Sequence, residues 1–293
     1  MEKLLSIGMC TYDDINGVYF SLQSLRLHHP LVQDDRVELI VVDNNPEGSH
    51  GTALKKWING WCKKKVKYIP YTEKKSTSVR NLIFDNAEGK YCISMDCHVL
   101  FPTGSLEALL EYYKDKPDCK DLVQGPLMYD NITGYSTHFT PGWGGDMYGK
   151  WGKDVKSYEK GVPFDIPMQG LGVFSCETKN WLGFNEHFKG FGGEEGYIHE
   201  KFRQNGGKTV CVPKFKWLHR FLRPDGVTYP LVLEDRIWNY LIGWLELKKD
   251  PEDPMIKSIC DYFSTRVSQK KLDILLTEAI HITNREFTNV RQH

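Results

Sequence analysis

The stretch Tyr91-Cys92-Ile93-Ser94-Met95-Asp96-Cys97-His98 is an apolar run that ends in an acid and an imidazole two residues apart. Such a run is typical of a buried strand, which places Asp96 and His98 at its carboxyl end. Carboxylates and imidazoles are ligands for divalent cations, and His219, far downstream, supplies a third. A turn closing a strand also favours Asp and His, and the triplet alone fits that simpler interpretation better. The surrounding sequence must therefore decide between a metal site and a turn that only closes a strand.

Short apolar runs alternate with helical periodicity on both sides of this stretch, which predicts parallel strands covered by helices. Helix starts are predicted at a Ser or Thr within 76–78 and at Ser105. The class expected is α/β, a mixed sheet flanked by helices. The predicted strands are 4–9, 37–42, 66–71, 91–96 and 122–129.

Two regions depart from this rhythm. Residues 130–167 are rich in Gly, Trp, Tyr and Asp, and predict a long loop whose aromatic rings either stack on a sugar or seal an apolar edge. After Glu234 the sequence carries three amphipathic helical stripes and no strand pattern. We therefore expect a catalytic domain over 1–232 and a helical C-terminal extension over 233–293, which packs on the catalytic part or forms a homo-oligomer.

The composition argues against a strongly basic nucleic-acid-binding protein and against a membrane-embedded protein. Lys plus Arg and Asp plus Glu both total 38, so no overall basic charge draws the chain to nucleic acid. A local lysine patch over 55–67 predicts a solvated helix face rather than a DNA contact. The eight cysteines have no metal-binding spacing and predict reduced core residues. Without a leader or a membrane-length apolar run, a cytoplasmic protein that is not secreted is expected.

Several segments together resemble the A-type (GT-A fold) glycosyltransferases of the family 2 group, and the Asp-x-His triplet is like that of the polypeptide N-acetylgalactosaminyltransferases. Their order and spacing make the resemblance specific. The resemblance implies a Rossmann-like nucleotide-diphospho-sugar transferase fold. The matching segments are 7–13, 41–45, 78–81, 96–98, 168–174, 181–188, 190–195 and 216–220.

The resemblance also implies the ligands. It implies a UDP-sugar donor and Mn²⁺ or Mg²⁺ held by Asp96, His98 and His219. Asp43 has a physical rationale besides, because a carboxylate at a strand's carboxyl end can accept hydrogen bonds from a uracil imide or ribose hydroxyls. The other residues expected to bind the donor nucleotide are Thr11, Tyr12, Asp13, Arg80, Asp96, Gly170, Arg220, Arg223 and Tyr229.

Glu194 and Glu195 occupy the position of the family's acid pair. In inverting members the second acid deprotonates the acceptor hydroxyl, which implies that Glu195 is the general base and that Glu194 orients the acceptor or sugar. Local structure alone favours two capping charges at a helix start. The choice of base between the two acids, and the choice of arginine near the diphosphate, stay open.

The expected function is metal-dependent transfer of a sugar from a UDP-sugar to a hydroxyl, with inversion. The acceptor is left open among a glycan, a protein, a small metabolite and a hydroxylated base of viral DNA. The competing interpretations are a nucleotidyltransferase, which lacks its Gly-rich phosphate loop here, a catalytically silent nucleotide- or glycan-binding scaffold, and a zinc hydrolase that uses the same three ligands.

Overall fold

The computed structural model describes residues 2–61, 66–223 and 226–290. The strands in this part of the chain are β1 (Leu5–Thr11), β2 (Val37–Asp43), β3 (Val66–Pro70), β4 (Tyr91–Asp96), β5 (Val99–Leu100), β6 (Leu122–Gln124), β7 (Leu127–Met128), β8 (Tyr135–Ser136), β9 (His138–Gly144), β10 (Met147–Gly152), β11 (Phe164–Asp165), β12 (Val173–Glu177), β13 (Thr209–Cys211) and β14 (Trp217–His219).

The α-helices of the same residues are α1 (Ile15–His28), α2 (Ser49–Trp61), α3 (Asn81–Asp85), α4 (Ser105–Lys114), α5 (Val155–Lys160), α6 (Glu195–Gln204), α7 (Leu233–Lys248), α8 (Pro254–Phe263) and α9 (Gln269–Val290). Short 3-10 helices cover Pro30–Gln33, Thr77–Arg80 and Thr178–Asn180. The predicted α/β class is therefore the fold observed.

The main sheet has eight strands in the order β11-β13-β6-β12-β4-β1-β2-β3. Strand β1 lies parallel between β2 and β4, with Thr11 opposite Asp43 and Cys10 opposite Asp96. Every residue of β2 is buried, as expected for a strand covered on both faces. The carboxyl ends of β1, β2 and β4 therefore meet at one edge of the sheet, where open α/β folds bind ligands.

The predicted strand over 122–129 is wrong as a single element, because it divides into β6 and β7, which join different sheets. The break falls at Gly125-Pro126. A Cβ at Gly125 would lie 1.6 Å from the carbonyl oxygen of Phe215, and proline has no N–H for a ladder. Because of this division, β7 pairs with β14 in a second sheet. Strand β14 also pairs with β5, which places His219 opposite Val99.

The cap predicted within 76–78 is confirmed, but the helix that follows it and the start predicted at Ser105 differ from expectation. The periodicity over 79–87 forms the 3-10 helix Thr77–Arg80 followed by the short α3, although Ser76 does cap it through the N–H of Ser78. Ser105 is the first residue of α4 rather than its cap. Gly104 takes the cap position with φ +86°, a left-handed conformation that glycine adopts without strain.

The predicted long loop over 130–167 is also wrong, because the region folds into the antiparallel hairpin of β9 and β10, followed by α5. Trp143 stacks on Tyr262 of α8, with ring centroids 4.6 Å apart, and its indole N–H donates to Ser258 at 2.9 Å. This ring therefore seals an apolar edge against the C-terminal helices.

Two apolar clusters form the core, one on each face of the main sheet. The second cluster includes Phe174 of β12, Tyr197 of α6, Trp238 and Leu241 of α7 and Phe263 of α8. Burial is thus continuous from the sheet into the C-terminal helices, and the division at 232/233 stays a prediction. Across the described ranges, none of the helices is long and apolar enough to span a membrane.

Candidate metal and nucleotide site

Three side chains of the types that bind metal ions meet at the carboxyl edge of the main sheet. Asp96 ends β4, His98 lies in the turn that follows, and His219 ends β14. The Nε2 atoms of the two histidines are 3.2 Å apart, and Oδ2 of Asp96 lies 3.7 Å from Nε2 of His98 and 3.6 Å from Nε2 of His219. Two imidazole nitrogens and a carboxylate oxygen converging at these separations fit one Mn²⁺ or Mg²⁺ ion.

Arg80 links this cluster to the acid pair. Its Nη2 lies 3.0 Å from Oδ1 of Asp96 and its Nη1 lies 3.5 Å from Oε1 of Glu194. Burial acts to raise the pKa of Asp96, but the hydrogen bond with His219 and the charge of Arg80 outweigh it and hold that pKa well below its usual range. Asp96 is therefore a carboxylate, as a metal ligand must be.

A cavity of 340 Å³ opens beside the cluster. Its wall includes Asn44, Lys75 and Phe191, none of which was predicted. Lys75 and Asn44 had no signal beyond a position after a strand end, where many residues are merely turn formers. The predicted residues that line it are Thr11, Tyr12, Arg80, Asp96, His98, Arg223 and Tyr229.

Two predicted nucleotide-binding acids point elsewhere. The carboxylate of Asp43 accepts hydrogen bonds from the Tyr68 hydroxyl at 2.7 Å and the Asn45 N–H at 3.0 Å, and burial raises its pKa. Asp13 accepts from the side-chain amide of Asn45 at 2.8 Å and has φ +51°. Neither is among the residues that line the cavity, whereas Asn44, which follows Asp43 in the sequence, is.

Gly170 and Arg220 also lie away from the cavity wall. The carbonyl of Gly170 accepts from the Gln124 amide at 2.8 Å. Gly172 is closer to the metal cluster, since its carbonyl accepts the N–H of Asp96 at 2.8 Å and a Cβ there would lie 3.3 Å from the His219 ring. Arg220 places its guanidinium 5.5 Å from the ring centroid of Phe20, and its buried Nη1 has no hydrogen-bond partner within 2–61, 66–223 and 226–290.

The segment after β14 closes one side of the cavity. Tyr229 packs on Phe191 with ring centroids 4.6 Å apart, and the Thr228 hydroxyl donates to the carbonyl of Tyr12 at 2.5 Å. Burial, together with the charge of Asp96, raises the pKa of Tyr229 to about 12, so its hydroxyl stays a hydrogen-bond donor. Of the two arginines left open for the diphosphate, Arg223 lines the cavity and Arg220 does not.

Glu194 is the N-cap of α6 and Glu195 is its first residue, and both are almost fully buried, at 1% and 6% exposed. Each has one carboxylate oxygen, Oε2, to which none of the described residues donates a hydrogen bond. Burial and the neighbouring Glu195 raise the pKa of Glu194 to about 8, against the charge of Arg80, and burial also raises the pKa of Glu195. A buried acid with a free oxygen and a raised pKa suits proton abstraction near neutral pH.

Helix α7 holds the backbone that precedes this acid pair, which the sequence did not reveal. The Asn239 side chain accepts the Lys189 N–H at 2.7 Å and donates to the carbonyls of Lys189 and Gly192 at 2.7 and 2.8 Å. The nearby charge of Arg236 acts to lower the pKa of Glu195. Residues more than forty positions downstream carry no local pattern that announces such a contact.

Residues 6–171 match the family model described as glycosyl transferase family 2, and the chain belongs to that family. No curated protein matches it by sequence. The resemblance and the GT-A fold predicted from the sequence are therefore confirmed. Glu194, Glu195 and His219 lie beyond the matched residues, so their roles are argued from the geometry.

Solved structures of low sequence identity share the fold. GalNAc-T7 with UDP, GalNAc and Mn²⁺ has a TM-score of 0.65 and 14% identity over 89% of this chain and 54% of that one. This chain thus spans about half of its length. The mannosyltransferase PcManGT from Pyrobaculum calidifontis with GDP-Man and Mn²⁺ has a TM-score of 0.56 and 13% identity over 95% and 80%. S. aureus TarS with UDP-GlcNAc has a TM-score of 0.57 and 13% identity over 96% and 80%.

Proposed function

We propose that the protein is a metal-dependent glycosyltransferase that moves a sugar from a UDP-sugar to an acceptor hydroxyl with inversion. The observation that carries this is the convergence of Asp96, His98 and His219 beside a cavity that family-typical strand ends line. Structural neighbours bound to UDP, UDP-GlcNAc or GDP-Man, two of them with Mn²⁺, support a nucleotide-sugar donor.

On the donor side, the chain binds and neutralises the diphosphate. A divalent cation at the three ligands supplies Lewis-acid stabilisation of the leaving group. Arg80 keeps Asp96 ionised and correctly oriented, because it is buried and bonded to it. Arg223 and Lys75 bring positive charge to the cavity wall. This charge stabilises the negative charge that develops on the departing nucleotide. Asp13, Asp43, Gly170 and Arg220 stay predictions as donor contacts.

On the acceptor side, Glu195 takes the proton from the attacking hydroxyl. Its buried environment and unpartnered oxygen support this role, and Arg80 and Arg236 favour its ionised form. Glu194 bonds Arg80 through one oxygen and leaves the other free, which supports a part in orienting the acceptor or the sugar. The carbonyl of Glu195 accepts from a buried histidine, which fixes the first turn of α6.

The acceptor stays a prediction among a glycan, a protein, a small metabolite and a hydroxylated base of viral DNA. Lys55 and Lys56 of the lysine patch are exposed on α2, but residues 62–65 lie outside the described positions. The cytoplasmic location and association through the C-terminal helices also stay predictions.

The experiment is a nucleotide-release assay with UDP-glucose, UDP-galactose, UDP-GlcNAc, UDP-GalNAc and GDP-mannose, each with Mn²⁺ or Mg²⁺ and with a panel of hydroxyl acceptors. E195Q should lower transfer by at least about 100-fold, because general-base catalysis is lost. Glu186, an exposed glutamate, gives the matched control E186Q, which should retain activity.

Two results would contradict the proposal. One is nucleotide release from none of the donors, and the other is an E195Q variant as fast as its parent. Proton NMR of the first product formed gives the anomeric configuration, which we expect to be inverted relative to the donor.

A further inference from the structure

His98 presents its two ring nitrogens to different groups. Nε2 faces His219 and Asp96 in the metal cluster, at 3.2 and 3.7 Å. Nδ1 lies 3.3 Å from Oδ2 of Asp14, a residue that the sequence did not single out. The His98 side chain is 7% exposed and that of Asp14 is 11% exposed, so little water competes for either nitrogen.

The contact decides which nitrogen carries the proton. Asp14 already accepts the N–H of Gly17 at 2.7 Å as the N-cap of α1. A carboxylate can only accept, so Nδ1 of His98 must be the donor. In a neutral imidazole Nε2 then keeps its lone pair, and that lone pair points into the metal cluster.

His219 has no such support. Its Nδ1 is buried and has no hydrogen-bond partner among the described residues. The two histidines are therefore supported unequally, because a carboxylate lies against Nδ1 of His98 and no described residue bonds Nδ1 of His219. His219 also packs on Phe221 with its ring tilted by 40° and the ring centroids 4.0 Å apart.

We propose that Asp14 is a positioning residue for the metal, which holds His98 in the Nδ1–H tautomer and makes it the stronger imidazole ligand of the site. The inference rests on the proposed function, because it presumes that Asp96, His98 and His219 bind a divalent cation. Asp14 joins the start of α1 to the end of β4, so metal affinity depends on how that helix begins.

A competing arrangement uses the same residues. Sγ of Cys97 lies 3.5 Å from Oδ2 of Asp14 and 3.7 Å from Nδ1 of His98, so these three groups could themselves hold a soft cation such as Zn²⁺. In that case Asp14 would be a metal ligand, and Nδ1 of His98 would carry a lone pair instead of a proton. The affinity for the cation would then depend on the Cys97 thiol as much as on the Asp14 carboxylate. A variant that lacks the thiol tests this.

The experiment measures the Kd of Mn²⁺ by electron paramagnetic resonance, with and without UDP, on the whole chain and on D14N. Asparagine is as good an N-cap as aspartate, so D14N should keep its metal-free melting temperature. Its Mn²⁺ affinity should fall about 10- to 100-fold, the usual effect of losing a carboxylate behind a metal-bound histidine. D253N, at the N-cap of α8, is the matched control and should bind Mn²⁺ as the parent does.

Three outcomes would overturn the proposal. A D14N variant that binds Mn²⁺ within twofold of the parent would remove the role of Asp14. A C97A variant that loses as much affinity for Mn²⁺ or Zn²⁺ as D14N does would make the group of Asp14, Cys97 and His98 the cation site. A parent that binds no Mn²⁺ even with UDP contradicts the metal site itself, and so separates failure of the proposed function from failure of this inference.

Discussion

Replacing Asn239 with alanine tests whether helix α7 is part of the catalytic apparatus. Asn239 is fully buried, and its side chain makes three hydrogen bonds to the backbone of Lys189 and Gly192. That backbone leads directly into Glu194, through Gly192 and Gly193 with φ +97° and +94°. Because these positive values suit glycine alone, the turn depends on outside contacts to hold its shape.

The magnitude follows from the three bonds. Each lost partner leaves a buried backbone group unsatisfied at about 1 kcal/mol or more, so N239A should lose about 3 kcal/mol of unfolding free energy. In a chain of this size that lowers the melting temperature by about 6 °C. A displaced acid pair should also lower kcat by about 100-fold while the donor KM changes less than threefold, since misplacement of the base affects the chemical step.

The assay combines thermal unfolding with steady-state kinetics. N205A is the matched control, because the Asn205 side chain bonds a carbonyl at the exposed end of α6 and its loss should cost less than about 0.5 kcal/mol. An N239A variant with parental kcat and an unchanged melting temperature would refute the argument that α7 holds the acid pair in place.

Two further predictions concern the pH dependence of stability and the packing behind the metal ligands. Glu194 has a pKa of about 8 in the folded state against an ordinary 4.5, so the folded protein holds a proton that the unfolded chain releases between these values. The stability of the metal-free protein should therefore fall as pH rises from 4.5 to 8. The melting temperature of E194Q should fall less than that of the parent over this range, and equal slopes of melting temperature against pH would contradict the raised pKa of Glu194. G172A should lower both the melting temperature and the Mn²⁺ affinity, because its Cβ would lie 2.7 Å from the Trp217 ring and 3.3 Å from that of His219. G60A, where a Cβ meets nothing within 4 Å, should be at least as stable as the parent, and a G172A variant with parental melting temperature and Mn²⁺ affinity would show that the ligands do not depend on this packing.

The central strands, and the position of Asp96 and His98 at the carboxyl end of one of them, could be predicted because their signals are local. An apolar run that ends in Asp96 marks a buried strand and its carboxyl end within one short segment. The stripes of α7, α8 and α9 are likewise visible as helical periodicity, and the core confirms them: Ile237, Ile259 and Leu272 are buried. In such elements, burial and hydrogen bonding follow from neighbours along the chain.

The predictions that failed concern features that depend on contacts between distant segments. Gly125 divides a predicted strand because the backbone of Phe215 approaches it, which no local pattern encodes. The hairpin over 138–152 packs Trp143 on α8, and its glycines obscured the alternation of a strand. The hydrogen bond from Tyr68 of the neighbouring strand to the Asp43 carboxylate was likewise not foreseen, and the contact of Asp43 with the nucleotide stays a prediction.

The same reason explains the site residues that were missed. Asp14 reads as an ordinary helix cap, and only the fold brings it against His98. Asn239 lies on a helix stripe that predicts packing, so its polar contact with the turn before Glu194 was not foreseen.

Calorimetric titration with UDP tests the central claim most directly, with Mn²⁺ present and then chelated, and with GDP, dTDP and CMP as controls. The parent should bind UDP tightly only when Mn²⁺ is present. H98A should lose that metal-dependent binding, while H28A, at the exposed end of α1, should keep it. Binding of none of these nucleotides, or UDP binding that needs neither the metal nor His98, would contradict a metal-dependent nucleotide-sugar transferase.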